Sequence, residues 1–303
     1  MTAADLFATV LDCNGRPLTL DRPRVVGILN VTPDSFSDGG RHATPDAAVA
    51  RAVEMLEQGA DMLDIGGEST RPGAADVSVD EELSRVIPVL EALAARTDKP
   101  LSIDTSKPEV MRAAVAAGAG MINDVYALRR DGALDAAAAL GVPVCLMHMQ
   151  GEPRSMQDAP AYDDVVGEVH RFLADRLFAC ELAGMDRRKV LVDPGFGFGK
   201  TLEHNLQLLR ELGRFAGLGS GVYAGLSRKS MISAITGRTQ PHERTAGSVA
   251  AAMIAVQNGA RLVRVHDVAA TVDALAVWHA VDSQRPARRV EAAPAAPRWP
   301  DDD

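Results

Sequence analysis

The stretch LSIDTSKPEVMRAAVAAGAGMINDV, residues 101–125, decides the fold. A short apolar run, LSIDT (101–105), leads into a segment of helical period with Ser106 as its cap and Gly118 as its stop. A second apolar run, MINDV (121–125), follows at once. Two short strands joined by a helix pair in parallel, through a right-handed crossover. The same alternation continues in both directions, with strand runs VVGILN (25–30), MLDIGG (62–67), VCLMHM (144–149), VLVDPG (190–195), VYAGLS (222–227) and LVRVHDV (262–268). After the first of these, TPDAAVARAVEMLEQGA opens on Thr44 as N-cap with Pro45 in the first turn, and stops at Gly59. The runs are apolar on both faces, as parallel strands enclosed by helices must be. Eight strand–helix units close into a (β/α)8 barrel, and an open doubly wound sheet is the rival arrangement. Upstream, VLDCNGRPLTL (10–20) places Asn14-Gly15 between two apolar stretches, which predicts an N-terminal β-hairpin with a type I′ turn. Residues 284–303 mix Pro, Ala and charge without periodicity and read as a disordered tail in which Trp299 has no evident partner. That leaves 1–283 as a single domain.

Composition bounds the function. The chain has 303 residues, 47% hydrophobic and 24% charged, with a formal net charge of −9. This balance carries no basic nucleic-acid footprint, although a few local cations can still hold an anion in a cleft. Cys13, Cys145 and Cys180 are scattered, without CxxC spacing, which argues for a reducing compartment and against a thiolate zinc site. MTAADLFATVLDCNG lacks a basic stretch followed by a long apolar run, and no segment approaches bilayer-crossing length. The expectation is a soluble cytoplasmic protein with no membrane partner.

In a barrel of this kind, chemistry gathers at the C-terminal ends of the strands. Those ends carry Asn30, Asp64 with Glu68-Ser69-Thr70-Arg71, Asp104, Asn123-Asp124, Met147-His148, Asp193, Ser227-Arg228-Lys229, and Arg264 with His266. Asp104, Asn123 and Asp193 offer two carboxylates and an amide to one cavity. That set suits a planar heterocycle with adjacent N–H donors, such as a 2-amino-4-oxopyrimidine, and Lys229 adds a donor for a carbonyl or ring nitrogen. The alternative for each single aspartate is a structural hydrogen bond to a loop. Arg264 and His266 are two apart on a predicted strand and share a face. With Asn30 from the neighbouring first strand they form a candidate phosphate site, in which Asn30 can offer its carbonyl oxygen to magnesium. The competing reading pairs Arg264 with Asp267 or Asp124. His148 and His266 as zinc ligands lack HxH or HExxH spacing. The loops VTPDSFSDGG and ESTRPGA are long for such connectors and read as lids, with Phe36 and Arg71 at their tips. Ser230 opens a helix whose free N–H groups attract an anion. DPGFGFGKT (193–201) lacks GxxxxGK[ST] spacing, so a nucleotide-triphosphatase reading is rejected.

Taken in order, VGILNVTPDSFSDGG, DIGGESTRPGA, SIDTSKPEV, INDV, LMHMQG, DPGFGFGK, LSRKS and VRVHDV resemble the successive signatures of the dihydropteroate synthase family. The resemblance spans roughly residues 8 to 280, with no departure at a motif position. It implies a (β/α)8 barrel and an enzyme of folate synthesis, a sulfonamide target. Such an enzyme joins 6-hydroxymethyl-7,8-dihydropterin diphosphate to p-aminobenzoate, with release of pyrophosphate. By the same resemblance, Asp104, Asn123, Asp193 and Lys229 hold the pterin, with Met147 and Phe198 near its ring. Asn30, Arg264 and His266 hold the diphosphate, with Mg2+ at Asn30. Phe36, Thr70, Arg71, Pro72 and Ser230 enclose p-aminobenzoate. Asp34 helps stabilise a methylene cation formed when pyrophosphate leaves first, and Lys229, Arg264 and His266 share in the catalysis. The family habit implies a homodimer. A corrinoid-type pterin methyltransferase has no use for the Arg-x-His pair or the ESTRPG loop. A non-catalytic paralogue would be expected to have lost lid residues.

Overall fold

The computed structural model describes residues 9–32, 44–69, 76–152 and 155–282. Eight parallel strands close into a barrel: β3 (Arg24–Asn30), β4 (Met62–Gly66), β5 (Leu101–Asp104), β6 (Met121–Asp124), β7 (Val144–Met147), β8 (Val190–Asp193), β9 (Gly221–Ala224) and β10 (Ala260–Val265), with β10 pairing back to β3. Helices α1 (Pro45–Glu57), α2 (Val79–Ala94), α3 (Pro108–Ala116), α4 (Ala133–Leu140), α5 (Val165–Leu182), α6 (Leu202–Arg210), α7 (Ser230–Thr236), α8 (Thr245–Gln257) and α9 (Val268–Asp282) alternate with them. The closed barrel, rather than the open sheet, is what the eightfold alternation predicts. VVGILN ends with its strand at Asn30, whereas the later runs overshoot their ladders at the C-terminal end; MLDIGG pairs only to Gly66 and VCLMHM only to Met147. The residues beyond the ladder line the mouth instead.

Period-two alternation sorts the strands. Leu63, Ile65, Leu101, Ile103, Ile122, Val144, Leu146, Val190 and Val192 point outward into one core shared with the helices. Each such side chain contributes about 1.5–3 kcal/mol by burial. Met62, Met121, Cys145, Leu191, Tyr223 and Leu262 point inward and meet Leu11, Cys13, Leu18 and Leu20 of the hairpin. That hairpin, β1 (Val10–Cys13) with β2 (Arg16–Thr19), turns on Asn14 at φ 56° and Gly15 at φ 79°, the two positive angles a type I′ turn requires. It plugs the N-terminal mouth, held by Arg16 to the Gly118 and Ala94 carbonyls at 3.0 and 2.9 Å. A Cβ on Gly120 would stand 2.2 Å from the Cys13 carbonyl oxygen, so only glycine admits the plug. With one end closed, ligands have the other.

Capping follows the sequence at α1, where the Thr44 hydroxyl accepts from Ala47 N–H at 3.2 Å. It departs from it at α3, where Lys107 and not Ser106 occupies the cap position, without a side-chain cap bond. The Lys107 ammonium is committed elsewhere, to Glu68 at 2.7 Å and buried Glu82 at 2.5 Å. Among the described residues, no helix is long and apolar enough to cross a membrane.

Candidate active site

Above the apolar floor the inward side chains become polar. Asp64, in the middle of β4, is fully buried. Its Oδ2 accepts from Arg264 Nε at 2.6 Å and from Asn123 Nδ2 at 3.0 Å. Arg264 also donates to Asp104 Oδ2 at 2.8 Å. Since β10 neighbours only β9 and β3 in the sheet, this arginine reaches through the barrel interior to β4 and β5. Arg264 is therefore paired with Asp64 and Asp104, not with the Asp267 or Asp124 of the competing reading. Burial alone would lower the Arg264 pKa, and the two carboxylates more than reverse that. One guanidinium cannot neutralise both acids. Burial, with Asp64, Glu82 and Asp124 adding to it, pushes Asp104 up to about 7 against the pull of Arg264. Asn30 reaches the same region: its Oδ1 lies 3.8 Å from where a Cβ on Gly66 would stand, and the Asp104 Cβ lies 3.5 Å from the same point.

A second group closes the ring. Arg264 Cβ, Asp193 Oδ2 and Lys229 Nζ all lie 3.9 Å from the position a Cβ on Gly225 would take. Asp193 is buried and is raised by that burial, with Lys229 the chief opposing influence. Its other oxygen accepts from Gly195 N–H at 2.7 Å. Lys229 donates to the Phe196 carbonyl and rests 4.7 Å over the Phe198 ring. Burial lowers Lys229 to about 8, with Asp193 opposing and Arg264 reinforcing the shift. Beside it, Met147 packs with Val125, Met149 and Met156, and Phe198 lies against this cluster. Carboxylates, an ammonium and an apolar cluster carrying Phe198 thus stand together at this end of the barrel, groups suited to a planar, polar-edged ring.

The remaining candidates divide. His266 sits just past the end of β10, not on the strand with Arg264; its backbone N–H donates to Ser227 Oγ at 3.1 Å, and its Nδ1 lies 3.0 Å from the same oxygen. Ser230 is the exposed first residue of α7. Asp34, Phe36, Thr70, Arg71 and Pro72 lie outside the described residues. His148, just past the end of β7, is buried against Lys200 and Phe172. Burial and Lys200 lower it to about 2, its Nδ1 lies 2.9 Å from Lys200 Nζ, and Phe172 stacks edge-on at 4.8 Å.

Three supporting roles were not assigned from the sequence, although Asp64 and Glu68 stood among the strand-end residues and Lys200 within DPGFGFGKT. Asp64, the hub of the network, had a visible signal, an acid inside an apolar strand run. Lys200 is a buried staple, donating to the carbonyls of Gly195 and Phe198 at 2.9 and 3.0 Å and so fixing the loop that carries Phe198. Glu68, held by Lys107, accepts from Val77 N–H at 2.9 Å.

Comparison with known proteins agrees with this geometry. A family model described as pterin binding enzyme matches residues 26–266. The dihydropteroate synthase of Escherichia coli K12 is 53% identical over 281 residues, covering 93% of this chain and 99% of its own. The structure of Xanthomonas albilineans dihydropteroate synthase with 4-aminobenzoic acid superposes with a TM-score of 0.87 at 66% identity, covering 91% of this chain and 99% of that one. The same organism's enzyme in complex with 7,8-dihydropteroate gives 0.84 at 64% identity, with coverage of 90% and 99%. A closed barrel, one polar ring at its open mouth and relatives matched over almost their full length lead to a single assignment: the chain belongs to the dihydropteroate synthase family of pterin-binding enzymes.

Proposed function

We propose that this chain condenses 6-hydroxymethyl-7,8-dihydropterin diphosphate with p-aminobenzoate to 7,8-dihydropteroate and pyrophosphate, with the residue roles that follow. The observation that carries the reading is the convergence of Asp104, Asn123, Asp193, Lys229 and Arg264, from five places in the barrel, on one cavity. Asp104 and Asp193 accept from the pterin's N–H edges, Lys229 donates to its carbonyl or ring nitrogen, and Met147 and Phe198 pack on its face. Asp64 orients both Asn123 and Arg264. Arg264, His266 and Asn30 receive the diphosphate. The bond from the methylene carbon to the diphosphate oxygen breaks first, and its electron pair leaves with pyrophosphate. The arylamine nitrogen then attacks the methylene and loses a proton. No strong base is needed, only stabilisation of the departing anion and exclusion of water.

The residues fit magnesium brought in on the diphosphate. Asn30 supplies a hard oxygen, and among the described residues no three His, Cys, Asp or Glu side chains group into an all-protein cage. When bound, the ion draws charge from the leaving pyrophosphate. We assign p-aminobenzoate to Ser230 together with Phe36, Thr70, Arg71 and Pro72, and cation stabilisation to Asp34, on the family resemblance. Residues 1–283 act as one catalytic domain in a reducing cytoplasm, consistent with three buried free cysteines.

A homodimer is supported by the neighbouring helices α7, α8 and α9, which expose Ile235, Ile254, Val277 and Val281. Apolar residues on the outer face of such helices suit a second copy of the chain. Equilibrium sedimentation reads that state directly. For the activity, pyrophosphate release should require both substrates and magnesium. Retained pterin binding without turnover would favour the non-catalytic paralogue.

A further inference from the structure

The loop between β9 and α7 contains a residue the mechanism above does not use. Arg228 has φ +58°, in the left-handed region. A residue with a side chain populates that region about 5- to 30-fold less readily than glycine. Where a turn needs this angle, glycine is the usual occupant, so an arginine here points to a task for the side chain. That task is visible. Arg228 Nε and NH2 form a two-pronged pair with Asp267, at 3.0 and 2.6 Å. Burial would raise the Asp267 carboxyl, and the pairing with Arg228 outweighs it, holding the group below its ordinary value. The backbone is clamped as well. Arg228 N–H donates to Ser248 Oγ at 2.8 Å, and its carbonyl accepts from Arg244 at 2.9 Å. Ser248 Oγ in turn donates to the Arg244 carbonyl at 2.7 Å. On one side of this clamped residue, Ser227 engages His266; on the other, Lys229 enters the cavity beside Asp193.

We propose that Arg228 is a positioning residue: its pairing with Asp267, rather than any contact with substrate, holds the strained turn that directs Lys229 into the cavity. The consequence for catalysis rests on the reading of Lys229 as a pterin contact.

Arg228→Ala and Arg228→Gly test this in the full chain. Both lack the guanidinium, and they differ in how freely they adopt a positive φ. Two measurements are made: acylation of the Lys229 amine in the substrate-free protein, mapped by peptide mass, and KM for the pterin diphosphate beside kcat. With alanine, Lys229 should label faster and the pterin KM should rise about 5- to 30-fold, while glycine returns both close to the parent. Asp267→Asn should reproduce the alanine result, and should add nothing to Arg228→Gly. Faster labelling with an unchanged pterin KM upholds the positioning role and removes Lys229 from the pterin site. Equal KM defects in the alanine and glycine variants, with labelling at the parental rate, would show the guanidinium touching substrate and overturn the proposal. Parental labelling and kinetics in both variants and in Asp267→Asn would overturn it equally.

Discussion

Arg264→Met should cost the folded state about 3–5 kcal/mol at pH 7, the range seen when one partner of a buried ion pair is removed. The methionine fills much of the volume but leaves Asp64 buried without its cation. Asp64 Oδ1 already has no hydrogen-bond partner, and only Asn123 would remain on Oδ2. The pH dependence gives the sign. In the parent, Asp104 is raised from 3.8 to about 7, so between these values the folded chain binds more protons than the unfolded one. That contribution is present in full at low pH and is lost as pH rises towards 7. Without Arg264 the decline should continue above pH 7, because Asp104 then loses the charge that opposes its burial. Adding Asp64→Asn to Arg264→Met should recover part of the loss. Urea denaturation across pH 5–8 measures all three; a loss below about 1 kcal/mol would reduce the network to an ordinary surface pair. Binding of the pterin diphosphate should fall in parallel, since each charge-assisted bond to an anion contributes about 1.5–3 kcal/mol. Unchanged affinity would misplace the phosphate site.

The architecture was legible because each barrel element carries its own local signature: an apolar run for the strand, a helical period after it, Asn14-Gly15 for the plug. Asp104, Asn123, Asp193 and Arg264 could be singled out for the same reason, since strand ends can be counted. Their pairing was not legible. Arg264 and Asp64 stand 200 positions apart and meet only because the barrel closes and the guanidinium is long enough to cross its interior. Adjacency in sequence suggested Asp267 for Arg264, whereas Asp267 lies beyond the strand end and takes Arg228. The spacing of DPGFGFGKT ruled out a nucleotide-triphosphatase loop but gave Lys200 no role, and its burial against three carbonyls makes it a staple. Whether a lysine faces an anion or its own backbone depends on the path of the loop, and GFGFGK alone does not set that path. The cap at α3 stands one residue past Ser106, at Lys107, whose ammonium pairs with half-buried Glu68 and buried Glu82, long-range contacts that the local pattern could not register.

Lys229→Met should move stability and function in opposite directions. The fall of Lys229 from 10.5 to about 8 corresponds to about 3 kcal/mol of destabilisation at pH 7, where the unfolded chain carries the charge freely and the folded one must bury it. Part of that figure is screened, because the side chain is partly exposed, and part is offset when Asp193 loses its nearest cation. A net gain of about 1–2 kcal/mol at pH 7 remains. The gain should shrink as pH rises from 8 to 10.5, since over that interval the unfolded lysine loses its proton too. Pterin affinity should meanwhile drop about 10- to 150-fold, the equivalent of one charged hydrogen bond. A lysine that served packing alone would give losses in both quantities, and one facing solvent would give neither. Denaturation at pH 7 and pH 10, set beside calorimetric titration of the pterin diphosphate, separates these cases. A variant less stable than its parent at pH 7, or one that binds pterin unchanged, would mean that burial of this charge is not what the site uses to grip its ring.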